Sequence, residues 1–238
     1  MLRALKVAVR FFGRLLRVRP RVAKLRKLDV PERWEESFKV VQYVGSRTLD
    51  DTGGRVVYHG LENIPEEGSF YLVANHQCYF DICALVRVMD RPLAFIAKNS
   101  LKKVPLLKYW LEIPGSLYLD RDDARQAVTV MKQASEQLKN GLSMAIFPEG
   151  TRSRKAEPGE FHKGSLRPAF TSGRPILPVL IDGTYKLFEG NKGFTVKPAE
   201  VHLYFGKPIP TEGMPKSEQQ ELAANIGALI FSLKKAVP

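Results

Sequence analysis

Asn75-His76-Gln77-Cys78-Tyr79-Phe80-Asp81 puts an imidazole and a carboxylate five residues apart, just after an apolar run. On a straight helix the two side chains would point about 140° from each other. They meet if His76 sits in a strand-to-helix turn and Asp81 in the first turn of the helix that follows. The carboxylate would then accept from one imidazole nitrogen, fix the tautomer, and leave the other nitrogen as a base. The same residues also suit a blander arrangement, a capping aspartate beside a satisfied loop histidine. Cys78 lies two residues from His76, so a covalent thioester route is the chemical alternative. A buried, unreactive thiol is the commoner case.

Phe147-Pro148-Glu149-Gly150-Thr151-Arg152-Ser153 follows a second apolar run. That placement is the C-terminal end of a strand, where α/β sheets hold their ligands. A third segment, Gly115-Ser116-Leu117-Tyr118-Leu119-Asp120-Arg121, reads as a strand ending in an arginine. A fourth, Phe161-His162-Lys163-Gly164-Ser165, supplies a lysine ahead of a helix expected at residues 166–171. Arginine and lysine at such junctions suit a phosphate, by bidentate bonds and by point charge respectively. Each alone is more often a solvated surface charge. Pro175-Ile176-Leu177-Pro178-Val179 reads as an apolar strand whose internal proline predicts an edge or a bulge.

The elements that must position these residues are legible as a period. Short apolar, β-branched and aromatic runs recur at residues 55–59, 69–74, 93–97, 116–119, 142–147, 176–181 and 201–205. Helical stretches alternate with them, clearest at residues 122–139. A last helix is expected at 217–234, capped by Ser217 with Gln220 three residues on. This alternation predicts an α/β fold with a mixed, mostly parallel sheet flanked by helices. Ahead of it, residues 1–50 read as two helices, and residues 51–238 as the α/β domain. The second helix is expected to start after Val30, with Pro31 at its first position and an apolar stripe of Trp34, Phe38 and Val41.

On a helical period Leu2, Leu5, Val9, Phe12 and Leu16 form one stripe, and Arg3, Lys6, Arg10, Arg14 and Arg17 fall on the other side. Pro20 is expected to break or kink this helix. Ten of the chain's 37 basic residues lie in residues 1–28, which hold no acid; the net charge of +12 therefore belongs mainly to this segment. The remaining 27 basic residues nearly balance 25 acidic ones. That balance, and the lack of a reading motif, argue against nucleic acid as a partner. No stretch approaches the roughly 18 apolar residues of a spanning helix. Arginines interrupt any secretory signal, and a transit peptide would be serine-rich, whereas the first serine here is Ser37. Cys78 and Cys83 offer neither a metal spacing nor a disulfide framework, which fits a reduced compartment.

In order and spacing the segments at 75–81, 115–121, 147–153 and 175–179 resemble the glycerolipid acyltransferase family typified by bacterial 1-acyl-glycerol-3-phosphate acyltransferases. The resemblance covers about residues 55–210. It implies that His76 is the general base and Asp81 its orienting partner. It implies that Glu149 and Gly150 position the acceptor's glycerol, with Thr151 and Arg152 shaping the loop. Arg121 would contact the phosphate, and Lys163 would add a second cation. No metal and no cofactor is implied. Acyl-CoA or acyl carrier protein would be the co-substrate, and transfer to the sn-2 hydroxyl of lysophosphatidic acid would yield phosphatidic acid without an acyl-enzyme.

Such substrates partition into bilayers, so the first helix is expected to dock on the membrane without crossing it. The expected location is the cytoplasmic face of the cell membrane, peripheral or monotopic. Glycerol-3-phosphate or another lysophospholipid as acceptor stays open, as does an inactive membrane-binding module of the same fold.

Overall fold

The computed structural model describes residues 1–120 and 122–235, and the backbone alone for Pro105, Leu106 and Tyr109. Seven strands form one sheet: β1 (Arg55–His59), β2 (Tyr71–Ala74), β3 (Leu93–Lys98), β4 (Leu117–Leu119), β5 (Ser143–Ile146), β6 (Ile176–Asp182) and β7 (Glu200–Phe205). Their order is β1-β7-β6-β2-β5-β3-β4. Every pairing is parallel except the antiparallel pair of β6 and β7. β2 and β5 are buried along their whole length, because helices cover both faces of a parallel sheet. Side chains alternate between the two layers. Phe70, Leu72 and Ala74 enter one apolar cluster, and Tyr71 and Val73 enter the other.

The first layer holds α1 (Leu2–Leu25), α2 (Val30–Thr52) and α3 (Phe80–Val88). The second holds α5 (Ala124–Lys139), α6 (Arg167–Ser172) and α7 (Lys216–Ser232), while α4 (Pro105–Glu112) packs near α1. α2 lies against α3 at very close range. A Cβ on Gly45 would stand 2.8 Å from Val86 Cγ2, so the glycine sets that separation. Gln42 Nε2 donates to the carbonyls of Val86 and Met89 at 3.1 and 2.7 Å, satisfying acceptors that the end of α3 leaves unpaired.

Four local expectations are corrected. α1 does not end at Pro20 but continues to Leu25. A proline inside a helix costs about 3 kcal/mol. Buried Leu15 before it, and Val22 and Leu25 after it, each contribute about 1.5–3 kcal/mol by packing on Val40, Val44, Trp110 and Ile113. Packing therefore outweighs the missing bond. α7 starts at Lys216 after Pro215, so Ser217 lies inside it and does not cap it. Of the two settings expected for Pro178, the edge is corrected, since β6 runs between β2 and β7; the bulge stands, because the register across from it shifts by one residue between the pairs Val179–Phe205 and Ile176–Ile209. It stands where the ladder with β7 ends: its carbonyl accepts from Gly206 N at 2.9 Å, and the reciprocal bond is the one given up.

The fourth correction concerns the faces of α1. It has three faces and not two. Ala4, Val7, Leu15, Val22 and Leu25 are buried. Leu2, Leu5, Val9, Phe12 and Leu16 are 41–82% exposed, and the arc of Arg10, Arg14 and Arg17 lies beside that stripe, not opposite it.

Candidate active site

β2 and β5 are parallel neighbours, with Val73 beside Ile146 in register. Their C-terminal ends therefore release two loops side by side. Asn75, the first residue out of β2, keeps its loop close to the sheet. Its side-chain amide donates to the Ile181 carbonyl at 2.8 Å and accepts from Ile181 N at 2.7 Å, replacing a strand pairing. Gln77 does the same further on, its side-chain oxygen accepting from Gly183 N at 2.9 Å.

Between these clamps the chain turns into α3 and brings His76 against Asp81. His76 Nδ1 lies 2.6 Å from Asp81 Oδ2. The same oxygen accepts from the backbone N–H of Gln77 at 2.7 Å and of Cys78 at 2.9 Å. Asp81 is fully buried, and its other oxygen has no partner among the described residues. Three donors thus meet at one oxygen, an arrangement that assigns the imidazole proton to Nδ1. Nε2 then carries the lone pair. The imidazole is 16% exposed, and no described residue bonds to Nε2. Phe147 stacks on the ring with centroids 4.1 Å apart and planes at 15°, so the apolar wall that fixes the ring comes from the second loop.

Glu149 joins the loops. Its Oε1 accepts from His76 N at 2.6 Å and its Oε2 from Gly159 N at 2.7 Å. Burial pushes its carboxyl up, against the pull of those two N–H bonds. Both carboxylate oxygens are thus engaged by backbone N–H groups, and the residue is buried. Ser153 N closes the connection by donating to the His76 carbonyl at 2.8 Å. Gly150 adopts φ 72°, a left-handed turn that favours glycine. Thr151 is exposed on the same loop.

Arg152 points to Glu189, a residue that sequence reasoning missed. Arg152 Nη1 lies 2.5 Å from Glu189 Oε1, and its guanidinium sits 3.6 Å from the centroid of the Tyr79 ring. Glu189 Oε2 also accepts from Tyr79 N at 3.2 Å. One buried carboxylate thus orients an arginine and the entry to α3. No motif marked it, because it arrives from a loop 37 residues beyond Arg152.

Lys163 is exposed in the short 3-10 turn Lys163–Leu166. That turn follows His162, whose N–H donates to the Pro148 carbonyl at 3.1 Å. Arg121 lies outside the described residues. Cys78 is fully buried, and burial pushes its thiol well above the ordinary range. On α1, Arg3, Lys6 and Arg17 are exposed, while Arg10 and Arg14 reach Asp51 at 2.7 and 2.6 Å. Among the described residues no helix is long and apolar enough to cross a membrane.

Comparison with known proteins bears on the family and the fold. A family model described as Acyltransferase matches residues 55–182. A probable 1-acyl-sn-glycerol-3-phosphate acyltransferase of Mycoplasma genitalium is 32% identical over 207 residues, covering 82% of this chain and 76% of that protein. The 1-acyl-sn-glycerol-3-phosphate acyltransferase of Borreliella burgdorferi is 32% identical over 139 residues, and there the match spans 56% of the relative. The crystal structure of the 1-acyl-sn-glycerophosphate (LPA) acyltransferase PlsC from Thermotoga maritima superposes with a TM-score of 0.76. It is 30% identical, and the match covers 99% of this chain and 96% of that one.

Proposed function

The chain belongs to the acyltransferase family, and from that premise we propose that it moves a fatty acyl group from an acyl thioester to the sn-2 hydroxyl of lysophosphatidic acid, giving phosphatidic acid. The observation that carries the mechanism is His76: Nδ1 is held by Asp81 while Nε2 is unpartnered at the surface of the loop. Nε2 takes the proton from the acceptor hydroxyl as that oxygen attacks the thioester carbonyl. Collapse of the tetrahedral species breaks the carbon–sulfur bond. The departing thiolate takes the proton back from the imidazolium, which the buried Asp81 carboxylate has stabilised in the meantime.

Direct transfer needs no nucleophile from the protein. The burial of Cys78 supports this route, because a thiol held in its protonated form is a poor nucleophile. In this reading Arg152, held by Glu189 and Tyr79, meets the anionic headgroup, and Arg121 and Lys163 are the phosphate contacts that the family resemblance implies. The exposed stripe Leu2, Leu5, Val9, Phe12 and Leu16 supports docking of α1 on a membrane surface, at the cytoplasmic face, where a lipid acceptor would be met.

The test pairs lysophosphatidic acid with acyl-CoA and, separately, with acyl carrier protein thioester, beside His76→Ala. Turnover is expected with at least one donor, falling by about 10²-fold or more in the variant. Undiminished turnover by His76→Ala would remove the assigned base. Preference for glycerol-3-phosphate or another lysophospholipid would redirect the acceptor while leaving the base in place.

A further inference from the structure

α1 and α2 form an open cavity of about 270 Å³, lined by Arg10, Gly13, Arg14, Arg17, Val18 and Tyr43. None of these residues takes part in the site built by His76, Asp81 and Glu149. We propose that this cavity binds the phosphate of an anionic bilayer phospholipid, as a discrete headgroup site separate from the acceptor site.

The wall chemistry is selective for phosphate. Three arginines line one small space, and a guanidinium presents donors in a fork that fits phosphate oxygens. Arg10 Nη1 and Arg14 Nη1 bond to the two oxygens of Asp51. Each arginine carries five donors, so this pairing fixes the side chains and leaves N–H groups for a ligand. Arg17 has no ion-pair partner among the described residues. Against the single Asp51 carboxylate, the three cations leave a net charge of about +2 in the cavity.

Gly13 lies in mid-helix, where glycine costs about 0.5–1 kcal/mol relative to alanine. A Cβ built there meets nothing within 4 Å, so the glycine leaves the wall open. Tyr43 is half-exposed and adds an aromatic surface with a polar tip, a type favoured where apolar and wet regions meet.

The occupant follows from what adjoins the cavity. On the helical wheel Arg10, Arg14 and Arg17 lie on the arc beside the exposed stripe Leu2, Leu5, Val9, Phe12 and Leu16. A lipid whose acyl chains lie along that stripe brings its phosphate to the level of the guanidinium groups. A free phosphate would have no use for the stripe. The inference is narrower than docking by overall charge, in which any of the ten N-terminal cations would count alike, each worth on the order of 1 kcal/mol.

The full-length chain is co-sedimented with vesicles of phosphatidylcholine and with an equimolar mixture of phosphatidylcholine and phosphatidylglycerol. Arg17→Gln is compared with Arg19→Gln, which removes an equal charge from the same helix outside the cavity. Gly13→Leu fills the cavity without changing charge. Arg17→Gln should weaken binding to the mixed vesicles about tenfold, and Arg19→Gln about twofold. Gly13→Leu should lower the preference for mixed over neutral vesicles about fivefold.

Equal losses for the two arginine variants, or an unchanged preference in Gly13→Leu, would overturn the site in favour of diffuse attraction. Displacement from mixed vesicles by inorganic phosphate at constant ionic strength would also overturn it, as a site for free anion. Turnover of the unmodified chain on a short-chain, monomeric acceptor tests the catalytic reading separately, so failure of either idea is distinguishable from failure of the other.

Discussion

The backbone N–H of His76 donates to the side chain of Glu149 at 2.6 Å, so the carboxylate of one loop sets the position of the imidazole on the other. Glu149→Gln tests whether that is its use. Glutamine keeps the shape but turns one acceptor into an NH₂, which would face the N–H of His76 or Gly159. The expected result is a fall in kcat of about 10- to 100-fold with little change in KM, and a stability loss of about 1–3 kcal/mol in denaturant melts. A rise in KM alone would return Glu149 to direct contact with the acceptor.

Glu189→Gln should act on a different kinetic constant. Arg152 would lose its charged partner and Tyr79 N its acceptor. KM for a phosphate-bearing acceptor is expected to rise about tenfold while kcat changes less. A lower Tm with KM unchanged would make the residue purely structural.

Cys78→Ala should keep turnover within about tenfold, since the thiol is buried and held in its neutral form. Mass spectrometry of a single turnover quenched in acid should find no acyl adduct on the chain. An adduct at Cys78 would replace direct transfer by a covalent route.

Asp51 gives a pH signature. Burial alone would raise its carboxyl, but the bonds from Arg14 and Arg10 outweigh this and hold it below the ordinary 3.8. A depressed carboxyl stabilises the fold above its unfolded value, and that contribution is lost as pH falls through the folded value. Asp51→Asn should therefore be less stable than the parent by about 1 kcal/mol at neutral pH. The gap should close below pH 3.8, as read from urea melts of both proteins. A gap that does not change with pH would mean the pair with α1 contributes nothing.

The centre of the sheet was legible from sequence because β2, β5 and β6 are buried on both faces, so each appears as an apolar run; residues 176–181, for example, fall within β6. His76 and Asp81 were legible for a different reason, since the turn that joins them is local. What escaped depended on contacts made across the fold. Pro20 looked like a break or a kink because α2 and Trp110, which support the helix beyond it, lie far along the chain. Whether Pro178 marked an edge or a bulge stayed open because the bulge is set by the partner strand, where the register shifts by one residue before Ile209. Glu189 carries no spacing relative to Arg152, and its role exists only once two loops converge. The apolar stripe of α1 was read correctly as a set, yet its relation to the basic arc required knowing which third face α2 covers.

The close approach at Gly45 has a mechanical consequence. α3 is gripped at both ends, by α2 through Gln42 and by the imidazole through Asp81. With a glycine as the bearing surface there is little slack to absorb a tilt of the first two helices. Where α1 rests on lipid as proposed, curvature or lateral pressure in that layer would reach Asp81 as torque, coupling the physical state of the lipid layer to the aim of the proposed base.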